Sequence, residues 1–308
     1  MDLSDYQSSA IKTDQVVDDK DEKSRLVPLL GLAGEVGTLL SEYKKFLRDG
    51  GAHERFHKQV AEDLGDLLWY IANVATKFDL DLAQIAHQNL EKVQRRWPIK
   101  STEAQGELYN NSRAHLLDET FSEHEQLPRQ LEITFEEFNE GESITVVIKR
   151  DGEPVGDPLT DNAPDDDGYR FHDVFHLSYA AILGWSPIIR KLLKVKRKSD
   201  ETADVVEDGA RARIIEELIS QLVFQYAREH NFLNGINTLD YHLLKTIHSL
   251  VQDREVRVRT LFEWENAILA GYRVWRDVYK NRGGTVRIDL VQSTIEYTQE
   301  TADGHRRC

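Results

Sequence analysis

The chain has 308 residues, enough for two domains, and its 40% hydrophobic and 30% charged composition fits a helical globular protein. A net charge of −15 argues against sequence-independent binding to nucleic acid and against an anionic membrane surface as partner. A single cysteine, Cys308, excludes an intramolecular disulfide, and no apolar run approaches a membrane span. A cytosolic (cytoplasmic) protein with neither nucleic acid nor membrane as partner is therefore expected.

Residues 2–16 form a short amphipathic stretch with Ser4 or Asp5 near its cap. Two long helices are predicted next, within the stretch from Leu30 to Ala75. In the first, Leu32, Val36, Leu39, Leu40, Tyr43 and Leu47 recur at steps of three and four. In the second, Val60, Leu64, Leu67, Leu68, Ile71 and Val74 do the same. Asp49-Gly50-Gly51 marks the stop between them. Another amphipathic helix, LAQIAHQNLEKVQRRW, ends before Pro98 and completes a bundle of residues 1–100.

Acidic residues interrupt these apolar stripes: Glu35 in the first, and Glu62, Asp63 and Asp66 in the second. Asp63 and Asp66 share a helix face. Carboxylates placed between packed helices must be neutralised, most simply by divalent cations. The competing reading is a solvated acidic face.

GLAGEVG, EDLGDLLWYIAN and NLEKVQRRW resemble the MazG-like nucleoside triphosphate pyrophosphohydrolases, over about the first third of the chain. That resemblance implies an all-α bundle with Glu-x-x-Glu on one helix and Glu-x-x-Asp on the next. It further implies Mg²⁺ (or Mn²⁺) as cofactor and cleavage of an NTP or dNTP to the monophosphate and pyrophosphate. A homodimer or tetramer is implied as well. Carried onto this chain, the metal ligands are Glu35, Glu62, Asp63 and Asp66, with Glu35 or Glu62 orienting or deprotonating the attacking water. Two positions depart from the pattern. Thr38 stands where the family has a ligand Glu, and Asp63 is shorter than Glu; Glu42, on the same face as Glu35, is the candidate replacement. Lys44, Lys45 and Arg48 after the first motif, and Lys92, Arg95 and Arg96 at the end of the last helix, are candidate phosphate ligands. In similar proteins the Asn-x-x-Lys pattern, here Asn89 and Lys92, lies close to the nucleotide. Each of these also reads as a solvated helix face. Trp69 and Tyr70 read first as core or interface and second as a base-stacking surface.

Residues 99–127 are polar and low in apolar content and read as a linker, and 101–167 together are expected to hold linker and β-hairpin insertion. LEITFEEF and SITVVIKR alternate around Asn139–Glu142, with a third strand near Pro154–Leu159. Helices return over 168–308, at 171–185, 211–230, 239–253 and 261–279, followed by a terminal strand within 286–297. The expected fold class is thus mainly α: a MazG-like bundle, a β-hairpin insertion and a second helical bundle.

QVAEDLGDLLWYIA aligns without a gap to RIIEELISQLVFQYA, setting Glu62, Asp63 and Asp66 over Glu216, Glu217 and Ser220. Glu35 and Thr38 can be set over Asp173 and His176. The second bundle therefore reads as a divergent repeat, and Asp173, His176, Glu216 and Glu217 form a candidate second site that His172 could join. The alternative is a core histidine with a helix-end aspartate.

Three functions follow from the sequence. The first is Mg²⁺-dependent (d)NTP pyrophosphohydrolysis for nucleotide-pool cleaning or depletion. The second is a nucleotide-sensing module with weakened catalysis at Thr38. The third is an interaction protein of a stress or phage-defence system, with the hairpin as docking element.

Overall fold

The computed structural model describes residues 1–15, 22–96, 116–140 and 143–298. The chain divides into two compact units, Met1–Gln94 and Arg95–Cys308. It is mainly α-helical with one small antiparallel sheet.

Unit 1 begins with α1 (Leu3–Ala10). Its cap is Asp2, one residue before the helix and earlier than the expected Ser4 or Asp5. Asp2 accepts from the Asp5 N–H while the Asp5 carboxylate accepts from the Asp2 N–H, so Asp5 serves as the far side of a capping box. Then come α2 (Glu22–Asp49), α3 (Phe56–Lys77) and α4 (Leu82–Arg96). Gly50 follows α2 with φ +55°, the left-handed conformation that ends a helix and favours glycine.

α2 and α3 pack as an antiparallel pair. Near their connection Phe46 stacks on Phe56 at 4.2 Å. Further along, a Cβ on Gly31 would lie 2.2 Å from the Tyr70 ring, so glycine permits the close approach there. The fully buried apolar core of this unit is small: Ala10, Ala72, Ala75 and Leu82, with Leu3, Tyr6 and Trp69 packed against it. Trp69 donates its indole N–H to Thr13 Oγ1 at 2.8 Å. Both aromatics thus act in packing.

Unit 2 has the larger core. Its sheet runs in the order β3-β2-β1-β4-β5, formed by β1 (Gln130–Glu140), β2 (Ser143–Arg150), β3 (Glu153–Pro154), β4 (Gly283–Asp289) and β5 (Thr294–Thr298). The register pairs Phe135 with Ile148 and Ile133 with Val286, so alternate apolar residues share one buried face. Two expectations are corrected here. The stretch 286–297 is not one strand: it splits into β4 and β5 around a turn. The expected third strand shrinks to β3 plus a single bridge between Val146 and Leu159. The hairpin turn at 141–142 lies outside the described residues.

The helices are α5 (Asp173–Leu183), α6 (Pro187–Leu192), α7 (Ala210–Arg228), α8 (Tyr241–Leu250) and α9 (Leu261–Lys280). α5 and α9 pack tightly on each other. Phe175 stacks on Tyr272 at 4.4 Å, and Ser178 Oγ donates to the Ala267 carbonyl at 2.6 Å. Both helices also contact β4 and β5.

The segment 116–127, expected as linker, is built into this unit. Leu127 belongs to its core. Buried Asp118 accepts from Arg190 at 2.6 Å and Arg129 at 2.8 Å, and buried Glu125 accepts from the Ser199 N–H at 2.8 Å. A low apolar content hides such a segment, because ion pairs and hydrogen bonds tether it. The rest of the expected linker, 99–115, lies outside the described residues.

Candidate metal centres

In unit 1 the geometry follows from the α2–α3 register. Counting away from the Phe46–Phe56 and Gly31–Tyr70 contacts, at equal rise in opposite directions, Glu35 falls level with Asp66 and Thr38 level with Asp63. Asp63 is buried at 2% exposure. One of its oxygens accepts from Gln59 Nε2 at 3.1 Å, while Oδ2 has no hydrogen-bond partner. Such a buried, half-satisfied carboxylate calls for a missing counter-charge. Glu35 is half-buried, and Glu62 and Asp66 are exposed. Among the described residues these four acids do not form a group with all ligand atoms in mutual reach.

Several expected site residues have other occupations. Glu42 is buried between Lys45 and His53, with His53 Nε2 at 3.0 Å. The hydrogen bond from Lys45 outweighs burial and, with His53, holds the Glu42 carboxyl below its ordinary range. Glu42 is therefore neutralised by its own neighbours, and Lys45 is spent on it. Arg48 forms a two-point contact with Asp49 at 2.6 and 2.7 Å. Thr38 Oγ1 donates to the Gly34 carbonyl at 3.4 Å, a bond within its own helix. Lys44 and Asn89 are exposed. The side chains of Lys92, Arg95 and Arg96 lie outside the described residues.

Unit 2 brings the candidate second-site residues together. α7 has its buried stripe at Ala212, Glu216, Ile219, Ser220, Val223, Phe224 and Ala227, so Glu216 is inside the core by its spacing. α5 presents Asp173 and His176 one turn apart, and His172 immediately precedes it. His176 is fully buried, and its Nδ1 lies 2.9 Å from Glu216 Oε1. Glu216 also accepts from Ser186 Oγ at 2.6 Å and from the Ile188 N–H at 2.9 Å, at the start of α6. Its carboxylate is thereby fixed from three sides.

The other face of the imidazole is different. His176 Nε2 makes no hydrogen bond. It stands 3.5 Å from Glu217 Oε2 and 3.9 Å from Asp173 Oδ1. His172 Nε2 lies 3.7 Å from Asp173 Oδ1 and 3.8 Å from Glu217 Oε2. His172 Nδ1 meets the Tyr169 carbonyl at 2.9 Å, and the Tyr169 ring stacks on the imidazole at 4.5 Å. Burial opposes a charge on His176, yet Glu216, Glu217 and Asp173 outweigh it and push the pKa well above the ordinary histidine value. Burial likewise opposes the charge of Glu217, and His176 and His172 reverse this and lower its pKa. Three carboxylates around one imidazole thus create a strong local demand for positive charge.

Asp173, His176, Glu216 and Glu217 carried a sequence signal through the alignment of the two helical sets, and His172 could join them. Tyr169, Ser186 and Ile188 carried none, because they act through loop contacts remote from the repeat. Ser186-Pro187 is a cap followed by a first-turn proline, the local sign of α6.

The Gene 37 protein of Mycobacterium phage L5 is 36% identical to this chain over 69 residues, which is 22% of this chain and 60% of that protein. The chain thus spans about 60% of the length of that relative. No solved structure matches. The model of the MazG C-terminal domain matches residues 112–301, a range that includes the 116–127 segment and all five strands. This corrects the expected placement of the family likeness in the first third. The matched region contains the sheet, α5–α9 and the His172–Asp173–His176 cluster, and the chain belongs to the MazG C-terminal domain family.

Proposed function

We propose that this protein is a divalent-metal-dependent nucleotide pyrophosphohydrolase, which hydrolyses a (d)NTP to the (d)NMP and pyrophosphate with the acids of unit 1. Family membership supports nucleotide chemistry in general. The observation that carries the specific reading is the buried Asp63 with its orphaned Oδ2, level with Thr38, beside the Glu35–Asp66 level of the same helix pair. An all-oxygen donor set suits a hard cation such as Mg²⁺, so Glu35, Glu62, Asp63 and Asp66 fit that ion in type. When bound, Mg²⁺ neutralises phosphate oxygens and stabilises the departing pyrophosphate.

The side chains have separable tasks in this reading. Asp63 and Asp66 hold the cation on the α3 face. Glu35 or Glu62 orients the water and takes its proton as the anhydride oxygen bond breaks. Lys44 and Asn89 are exposed and open to phosphate contact. Val36, Leu40, Tyr43 and Leu47 on α2, and Leu64, Leu68 and Ile71 on α3, are apolar and exposed. That surface supports self-association, with a second copy enclosing the acids. The alignment of the two helical sets supports a divergent duplication.

A second reading has its own support. Thr38 lacks a carboxylate, and its hydroxyl is turned to Gly34. This favours a nucleotide-sensing module with weak turnover.

The test is product analysis. Purified protein is incubated with a panel of canonical, deoxy and damaged NTPs in Mg²⁺ or Mn²⁺, and phosphorus NMR follows the products. Monophosphate and pyrophosphate in equal amounts are expected. Diphosphate with orthophosphate contradicts the reaction, and tight nucleotide binding without any product selects the sensing module.

A further inference from the structure

A separate feature lies in unit 2, and it does not depend on the hydrolase reading. Four donor atoms converge there: His172 Nε2, His176 Nε2, Asp173 Oδ1 and Glu217 Oε2. The four imidazole–carboxylate separations run from 3.5 to 3.9 Å. The ligand atoms of His172, Asp173 and His176 all lie within 4.8 Å of one another. Donors bound to one ion at about 2.1 Å sit roughly 3 to 3.5 Å apart, so each imidazole–carboxylate pair needs a contraction of a few tenths of an ångström, and the half-exposed Glu217 side chain, which lies outside the 4.8 Å group, must shift to complete the shell.

Two independent observations separate this cluster from an ordinary ion-pair network. First, His176 Nε2 is wholly buried and lacks a hydrogen-bond partner, while it points at the two carboxylates. Second, each imidazole is held at its far nitrogen: His176 Nδ1 by Glu216 and His172 Nδ1 by the Tyr169 carbonyl. Those acceptors take the Nδ1 protons and leave both Nε2 atoms facing inward, where a cation can replace the proton that the surrounding carboxylates favour on His176. Outer-shell acceptors of this kind orient histidines that bind metal. Glu216 is in turn fixed by Ser186 and the Ile188 N–H, which makes the support rigid.

We propose that His172, Asp173, His176 and Glu217 bind one divalent first-row transition-metal ion. Two imidazole nitrogens and two carboxylate oxygens suit Mn²⁺, Fe²⁺, Co²⁺ or Zn²⁺ and not Mg²⁺, which prefers oxygen and retained water. Glu217 has a 46% exposed side chain, whereas the other three are at most 12% exposed. The open side of the ion therefore faces solvent beside Glu217, where water or an oxygen of a ligand can complete the shell. This centre differs in chemistry from the all-oxygen set of unit 1, so one chain would carry two metal sites of different preference.

Cobalt is the direct probe. Full-length protein is stripped with chelator and titrated with Co²⁺ in the presence of excess Mg²⁺, with visible absorption and calorimetry as readouts. The wild type is expected to take up one equivalent with nitrogen-ligated cobalt bands. The double variant Glu35→Ala/Asp66→Ala is expected to do the same, since unit 1 is not involved. Glu217→Gln and His172→Ala should weaken uptake at least about tenfold while the metal-free melting temperature stays near wild type. Absence of cobalt bands in the wild type overturns the proposal. So does uptake unchanged in both Glu217→Gln and His172→Ala, or uptake lost in the unit 1 double variant alone.

Discussion

Glu216 is 0% exposed, yet its carboxylate is met by Ser186 Oγ, the Ile188 N–H and His176. Removing one member of a buried charged pair leaves the other uncompensated, which is far more costly than losing an exposed ion pair. Glu216→Ala should therefore destabilise unit 2 by about 3 kcal/mol or more. Its neighbour Glu217 is 46% exposed, so Glu217→Gln should cost less than about 1 kcal/mol. Denaturant midpoints of the two variants check this, and equal midpoints would contradict the assignment of structural support to Glu216. The helical spacing made Asp173, His176, Glu216 and Glu217 legible together. What the spacing did not reveal was the division of labour between the two glutamates. That depends on α6, whose first turn donates to Glu216 from outside the aligned helices.

At the scale of elements, long helices were legible because their periodicity runs for several turns, as in α2, α3, α7 and α9. Boundaries were less so. Asp2 replaced Ser4 or Asp5 as the cap of α1, since any of the three is a good cap and only the start of the helix decides. The β4–β5 turn was hidden because apolar alternation continues through it: Leu290 stays buried and its N–H donates to the Arg129 carbonyl at 2.8 Å. β4 also has a backbone constraint that hydrophobic patterning does not show. Gly283 has φ +131°, and a Cβ there would sit 2.4 Å from the Phe135 carbonyl oxygen on β1. Gly283→Ala should cost about 1–3 kcal/mol through strain and local loss of the β1–β4 ladder. Thermal melting of the variant measures this, and an unchanged midpoint would show that the close approach is not maintained in solution.

For the molecule as a whole, the two units differ in how they are stabilised. Unit 2 has an aromatic-rich core including Trp185, Trp264, Trp275, Phe175 and Tyr272. Among the described residues of unit 1 the buried apolar cluster is Ala10, Ala72, Ala75 and Leu82, while Leu40, Leu47, Leu64 and Leu68 are exposed. A helix pair with so much apolar surface in water is physically incomplete, which is consistent with a second copy in the proposed active assembly. Among the described residues no helix is long and apolar enough to cross a membrane, so these exposed side chains do not mark a span. In the proposed reading the two units also divide the chemistry: oxygen donors across α2 and α3, mixed nitrogen and oxygen donors around α5 and α7. The proposed function of unit 1 requires that the α2 and α3 acids carry hydrolysis. Initial rates of pyrophosphate release with Mg²⁺ and a saturating reactive nucleotide, compared among wild type, Glu35→Ala and Asp66→Ala, test that claim. Losses of about 100-fold or more are predicted for both variants, and wild-type rates in both would contradict it.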